Sequence, residues 1–442
     1  MAFGKFIQRL FGQSGPLEMS PEPFAAAPAA AVREPEPEPP APEPEAVLCR
    51  EEIIDSRSRI AGYRFNARRV DSGARVEGGA LVRLLEREAI DRLAQRRLAL
   101  IPIGAQEWTE HDFRPFIAAE TAFLLDPPPI GVRHEDWLAV LGDIRGSGAK
   151  VALTGAATTV RGALDLADLV LLDFSDCSLQ AFEQAVGRIK RQYPDIKLLV
   201  ANVHSWPEHR LCQARGCDCS LGSFAAAADE EDKGEKLNQS RLVLVEMLNL
   251  LRHDADSTEL AEVAKRDPAV AIKVVSMANS PAAGLSSPVA SVDQAIVVLG
   301  RAYLYRWLAI SMFRVGGSAR DEALLEVALF RARFQEILVQ DRLPKQAVDE
   351  VFLVGLLSLI DILLGIPIAS LVERMNLPDH VVEVLVRNEG PYGRYLMLAL
   401  AIEKGRTEQI GKLASQLEVS VSSIEAARIA AQQWAAEALA FG

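Results

Sequence analysis

Between Val47 and about Phe224 the chain alternates short, almost uninterrupted apolar runs with amphipathic stretches, and after Leu237 no convincing strand signal appears. This change of texture constrains the fold more than any other feature. The runs Leu98–Ile103, Ala122–Leu125, Lys150–Leu153, Leu169–Asp173 and Lys197–Ala201 have strand length. Continuously apolar strands belong to sheets covered on both faces. The stretches Leu81–Arg97, Asp136–Gly146 and Leu179–Tyr193 between them read as helices. Strands and helices alternating at this spacing build parallel βα units. The expectation for 47–224 is an α/β barrel of the TIM type, with an open doubly wound sheet as the alternative.

From 237 to 442 the pattern is helical. Asp267-Pro268 offers an N-cap followed by proline at the first helical position. Ser291 with Gln294, and Ser422 with Glu425, have capping-box spacing. Apolar residues recur at threes and fours, as in Leu242, Val245, Met247, Leu248 and Leu251, while Gly300, Gly355, Gly365 and Gly390 punctuate. An all-α domain of roughly ten helices is expected. A chain of 442 residues exceeds what one core usually holds, so two domains agree with its length. Residues 225–236, small and charged, read as the linker between them.

Residues 14–46, rich in Pro, Ala and Glu, cannot bury enough apolar surface to offset ordering entropy and read as an extended disordered linker. Ahead of it, residues 1–13 place Phe3, Phe6, Ile7, Leu10 and Phe11 near one helical face. Such a short amphipathic segment either docks on a partner or membrane surface, or is a frayed terminus.

The net charge of −12 argues against a nucleic-acid partner, and Arg92, Arg96 and Arg97, diluted by Glu86, Glu88 and Asp91, read as a solvated helix face. Five cysteines and no visible signal peptide point to a cytoplasmic protein. Cys212, Cys217 and Cys219, with His204 and His209 nearby, lack the spacing of a zinc site and read as ordinary thiols. The apolar run 351–372 carries Asp361 near its middle and breaks at Gly365 and Pro367, so two buried helices explain it better than a membrane span.

Around Gly62-Tyr63, followed by Arg64-Phe65-Asn66, the chain resembles the opening motif of EAL domains, the cyclic-di-GMP phosphodiesterase family, and the likeness runs from about 47 to 224. The family holds divalent cations with acidic and amide ligands at strand ends. Followed along this chain, the first Glu becomes Arg64, the Asn of the next strand becomes Pro102, and Leu125 or Asp126 falls where the following Glu belongs. The Asp-Asp pair becomes Thr154-Gly155, a lysine becomes Leu171 while Asp173 survives, and the later segment reads Asn202 and Ser205. A site of Arg64, Pro102, Thr154 and Gly155 has no anionic ligand set, and Arg64 would repel Mg²⁺.

Residues 237–313 resemble the HDOD family, related to HD phosphohydrolases, through Asp267-Pro268, Asn279-Ser280, Ser291 and Gly300 in family order. At 355–361 the chain reads GLLSLID, so Ser358 and Asp361 match tandem EAL–HDOD proteins where catalytic HD proteins carry a His-Asp pair. The literal pairs His111-Asp112 and His253-Asp254 read as polar helix-end residues. The resemblance implies a degenerate EAL barrel joined to an HDOD domain. The function expected from it is a non-catalytic bacterial signalling scaffold with neither metal nor cofactor. It would bind signalling proteins through the HDOD domain and use the barrel as a platform or homodimer surface. The alternative is a non-hydrolysing cyclic-di-GMP receptor.

Overall fold

The computed structural model describes residues 45–175, 178–229, 239–279, 289–315, 317–375 and 377–440. The expectations for residues 1–13, for nearly all of 14–46, for 230–236 and for Ser280 lie outside the described residues.

Eight strands close a barrel in sequence order. They are β1 (Ala46–Asp55), β2 (Ile60–Arg69), β3 (Leu98–Pro102), β4 (Thr121–Leu125), β5 (Lys150–Thr154), β6 (Leu169–Asp173), β7 (Lys197–Ala201) and β8 (Cys219–Leu221). β1 runs antiparallel to both neighbours and every other pair is parallel. The closed barrel answers the alternative of an open sheet. Period-two alternation sorts the strand residues into two buried layers. Ile53, Leu98, Leu100, Ala122, Leu124, Ala152, Leu169, Leu171, Leu199, Ala201 and Leu221 fill the barrel interior. Ala99, Ile101, Phe123, Leu125, Val151, Leu153, Val170, Leu172, Leu198 and Val200 face the surrounding helices.

Those helices are α1 (Gly78–Arg87), α2 (Ile90–Leu93), α3 (Ala105–Glu110), α4 (His134–Gly146), α5 (Leu179–Gln192) and α6 (Trp206–Ala214). The single helix expected over Leu81–Arg97 is therefore two. Ala89 adopts a left-handed conformation, φ 49°, and breaks it. The break turns Glu88 inward onto Arg50 and Arg428. Arg97 is likewise no solvated residue: its Nη1 donates to Tyr63 Oη at 2.9 Å and to Glu326 at 2.7 Å.

The rest of the chain is all helical among the described residues: α7 (Gln239–Arg252), α8 (Ser257–Ala264), α9 (Pro268–Ala278), α10 (Val292–Leu299), α11 (Arg301–Arg314), α12 (Ala319–Val339), α13 (Lys345–Leu357), α14 (Ile360–Leu364), α15 (Ile368–Met375), α16 (Asp379–Arg387), α17 (Gly393–Glu403), α18 (Thr407–Leu417) and α19 (Val421–Ala440). Three helices, rather than two, span the apolar run 351–372. Gly355 does not punctuate; it lies inside α13, where a Cβ would sit 2.5 Å from the backbone of Ala332 on α12. Ser422 is not a cap either. Ser420 Oγ accepts the Ser423 N–H at 3.1 Å, and Glu425 turns to Arg428 instead. No single helix among the described residues is long and apolar enough to cross a membrane.

β1 pairs with β8 only over Ile53–Asp55, which leaves the edge of residues 46–52 for other elements to cover. α17 and α19 lie along it. Val47, Cys49 and Val70 consequently belong to the same hydrophobic core as the helical half. Next to this contact lies a buried charge network. Arg428 of α19 binds Glu88 and Glu425, and Arg50 of β1 donates to Glu88 at 2.5 Å. Burial alone would raise the Glu88 carboxyl, but Arg428 and Arg50 outweigh it and hold the group below its ordinary value.

Candidate functional site: a cleft between barrel mouth and helices

Because β1 and β2 are longer than the other strands, they rise past the C-terminal ends of the parallel strands as a hairpin. Along that hairpin, Cys49, Glu51, Arg64, Asn66 and Arg68 continue the inward-facing parity of Ile53 and Gly62. The helical half stands opposite. The two enclose a cleft of about 840 Å³, lined on the barrel side by Glu51, Glu52, Arg64, Asn66 and Arg68. Arg331, Ser358, Asp361, Glu403, Lys404 and Arg406 line it from the helical side.

Arg64 is half-buried at the mouth, where its Nε donates to Glu51 at 2.7 Å. The same charge acts on Asp173 at the end of β6. Burial works to raise the Asp173 carboxyl, but hydrogen bonds from Ser175 and Asn202 and the charge of Arg64 bring it below its ordinary value. Asn202, in a left-handed conformation with φ 59° just past β7, donates its Nδ2–H to Asp173 at 2.6 Å. Pro102 ends β3 and Thr154 ends β5, its Oγ1 buried without a partner. The Gly155 N–H donates to the carbonyl of Leu171, which is buried inside the barrel. Ser205 sits apart as the cap of α6, accepting the Glu208 N–H at 3.3 Å.

On the helical side, Arg331 of α12 makes a two-pronged contact with Glu403, 2.7 Å at each nitrogen, and donates to Ser358 Oγ at 3.0 Å. The Ser358 hydroxyl in turn donates a hydrogen bond to the Gly355 carbonyl at 2.7 Å, which closes α13. Asp361 faces the cleft beyond it. Burial raises its carboxyl, and backbone hydrogen bonds and Arg331 oppose the rise. Glu52 is pushed up to about 8, first by burial and then by the neighbouring charge of Glu403.

Thus Arg64, Ser358 and Asp361, distant in sequence, meet in one cleft. The remaining helical-domain positions hold caps and joints elsewhere. Asp267 caps α9 by accepting from the Ala269 and Val270 N–H groups, with Pro268 as first residue. Asn279 clamps Val289 by two hydrogen bonds of 2.7 and 2.8 Å. Ser291 caps α10 at 3.2 Å, and Gly300, φ 73°, joins α10 to α11. Sequence reasoning missed Glu51, Arg68, Arg331, Glu403, Lys404 and Arg406. Only the period-two alternation along the hairpin, which puts Glu51 and Arg68 on the face of Arg64, could have pointed to the first two.

Among the described residues no three His, Cys, Asp or Glu side chains converge as metal ligands do. His209 is buried among Trp206 and Phe224, and burial, then Arg210, lowers it to about 4. Burial pushes the thiols of Cys212, Cys217 and Cys219 up to about 11, 12 and 12.

The HDOD domain family matches residues 239–385, so the helical half carries an HDOD domain. The chain is 30% identical over 178 residues to the uncharacterized protein YuxH of Bacillus subtilis, covering 39% of this chain and 43% of that one. It is 26% identical over 181 residues to the cyclic di-GMP phosphodiesterase CdgJ of Vibrio cholerae, covering 41% and 42%. The match therefore spans less than half the length of either relative. Among solved structures, it is similar to the Bacillus subtilis YkuI protein, described with an EAL domain, cyclic di-GMP and calcium, at 14% identity and TM-score 0.33, covering 58% of this chain and 71% of that one. Klebsiella pneumoniae BlrP1 with manganese and cyclic di-GMP gives 15% identity and TM-score 0.33, covering 41% and 55%.

The expectation that the chain catalyses nothing is overturned. A relative at 26% identity is named a phosphodiesterase, and the substitutions at the mouth do not demonstrate that catalysis is lost. Motif-by-motif reading counted missing carboxylates but did not count Glu51, which β1 brings to the mouth beside Arg64.

Proposed function

We propose that the chain is a signalling protein of the cyclic-di-GMP class that acts through protein–protein contact on its HDOD domain, with the barrel held against that domain as a platform. The class is taken from the relative named for cyclic-di-GMP hydrolysis. One observation carries the contact reading. Ile272 on α9 and Val297 and Val298 on the adjacent α10 are 66%, 67% and 39% exposed. Aliphatic side chains left in water on two helices that pack together are the kind of surface that partners cover. The test uses the full chain and its Ile272→Asp/Val297→Asp variant as bait, with sedimentation to detect a second copy. A partner or self-association lost in a variant that melts like wild type supports the reading. Equal recovery and equal mass for both contradict it.

A second reading is supported by Arg64: the guanidinium at the mouth faces a cleft large enough for a dinucleotide. Cyclic di-GMP would then bind at the mouth, its phosphates meeting Arg64. Calorimetric titration with the dinucleotide tests binding, and incubation with Mg²⁺ or Mn²⁺ tests turnover. Saturable binding weakened in Arg64→Ala supports the reading; heat identical to buffer dilution contradicts it.

A further inference from the structure

The cleft's cations are not all neutralised. Arg64 is engaged by Glu51, Arg50 by Glu88 and Arg331 by Glu403. Three others stand at the rim: Arg68 on β2, and Lys404 and Arg406 on the turn between α17 and α18, all exposed. Arg68 Nη1 donates to the Gly73 carbonyl at 3.1 Å, and the described residues place no carboxylate in an ion pair with Arg68, Lys404 or Arg406. Two close approaches place the turn beside the part of the hairpin that carries Arg68. A Cβ on Gly405 would lie 3.8 Å from the Cys49 sulfur, and the charge of Arg68 acts on that same thiol. A Cβ on Gly73, the residue Arg68 binds, would lie 3.2 Å from the Thr407 hydroxyl. Of the acidic residues flanking the turn, Glu403 is taken by Arg331 and Glu408 is engaged by Lys412 at 2.6 Å. Glu52, pushed up to about 8 by burial and then by Glu403, adds little negative charge to the cleft at neutral pH. An uncompensated group of cations is unusual in a chain of net charge −12.

We propose that Arg68 from the barrel and Lys404 and Arg406 from the helical half form one anion site at the cleft rim, which takes a phosphate- or diphosphate-bearing small molecule and ties the two halves together. The site lies further along the hairpin than Arg64, which is already paired with Glu51. Its ligand is chosen by charge and by the ability of guanidinium groups to grip phosphate oxygens in pairs. Since neither half supplies the whole site, bound anion favours the docked arrangement by its differential affinity for it.

Inorganic pyrophosphate is the probe, titrated calorimetrically into the full chain at low salt. The expected result is saturable binding that weakens about ten- to hundredfold in Arg68→Glu and also in Arg406→Glu, each a loss of one charge-assisted contact. Arg133→Glu, an exposed reversal outside the cleft, controls for net charge and keeps wild-type affinity. Melting temperatures confirm that the exposed variants fold. Absent saturation, binding unchanged by reversal on either side, or equal weakening by the Arg133 control overturns the proposal.

Discussion

Replacing Arg428 with methionine removes the one guanidinium that joins the last helix to the barrel's Glu88. The side chains of Arg428, Glu88, Glu425 and Arg50 are 1%, 0%, 5% and 9% exposed, so two carboxylates and two guanidiniums balance out of water. Without Arg428, Glu88 keeps Arg50 while the buried Glu425 loses its ion-pair partner. Leaving a buried charge uncompensated costs about 3–5 kcal/mol. With an unfolding entropy of about 2.1 cal/mol/K per residue over about 400 ordered residues, or roughly 0.8 kcal/mol/K, that corresponds to a Tm lower by about 4–6 °C if both domains melt as one unit. Scanning calorimetry measures it, and a cycle with Glu88→Gln isolates the contact between domains. The coupling energy should reach about 1–3 kcal/mol, since the two residues share one network. A single-variant cost below about 1 kcal/mol, or additivity within about 0.5 kcal/mol, would refute the view that buried charge fastens barrel to helices.

Three further outcomes are expected. The folded Glu52 carboxyl binds its proton more tightly than in the unfolded chain, so its contribution to stability is fully present below 4.5 and is lost as pH rises toward about 8. That slope amounts to at most about 5 kcal/mol across the window, and Glu52→Gln should flatten it in urea melts; an unchanged slope would assign the pH dependence elsewhere. Gly355→Ala forces a methyl group against the Ala332 backbone and should cost about 1–3 kcal/mol by overpacking, whereas wild-type stability would mean α12 and α13 are not so close. Asp267→Ala removes the cap of α9 and should cost about 1 kcal/mol in denaturant titration, with Asp267→Ser recovering most of it; no difference between the two would discount the cap.

Regular elements were legible in the sequence because their patterning is local. Leu169–Asp173 and Lys197–Ala201 emerge as strands with the bounds expected, and Asp267, Pro268 and Ser291 cap the helices they announce. Local rules failed where tertiary contacts overrode them. The helix breaks at Ala89, which lets Glu88 reach Arg50 and Arg428, 38 and 340 residues away. A glycine expected to end a helix instead lets two helices touch, and Glu425 serves the barrel rather than its own N-terminus. The cleft was out of reach for the same reason. Arg68, Arg331 and Arg406 share no spacing or motif; the covered edge of β1 brings them together.

That arrangement, with the helical half folded over the β1–β2 hairpin, can be tested by one cross-link. A Cβ built on Gly405 lies 3.9 Å from the Cβ of Cys49, within the span a disulfide requires. The φ of +60° at Gly405 makes the substitution mildly strained, at about 1–2 kcal/mol. Copper–phenanthroline oxidation of the full-length Gly405→Cys chain should therefore yield a peptide pair joining 49 to 405 in non-reducing mass spectrometry. An introduced thiol that stays open to maleimide, with Cys49 unlinked after oxidation, would contradict the shared cleft.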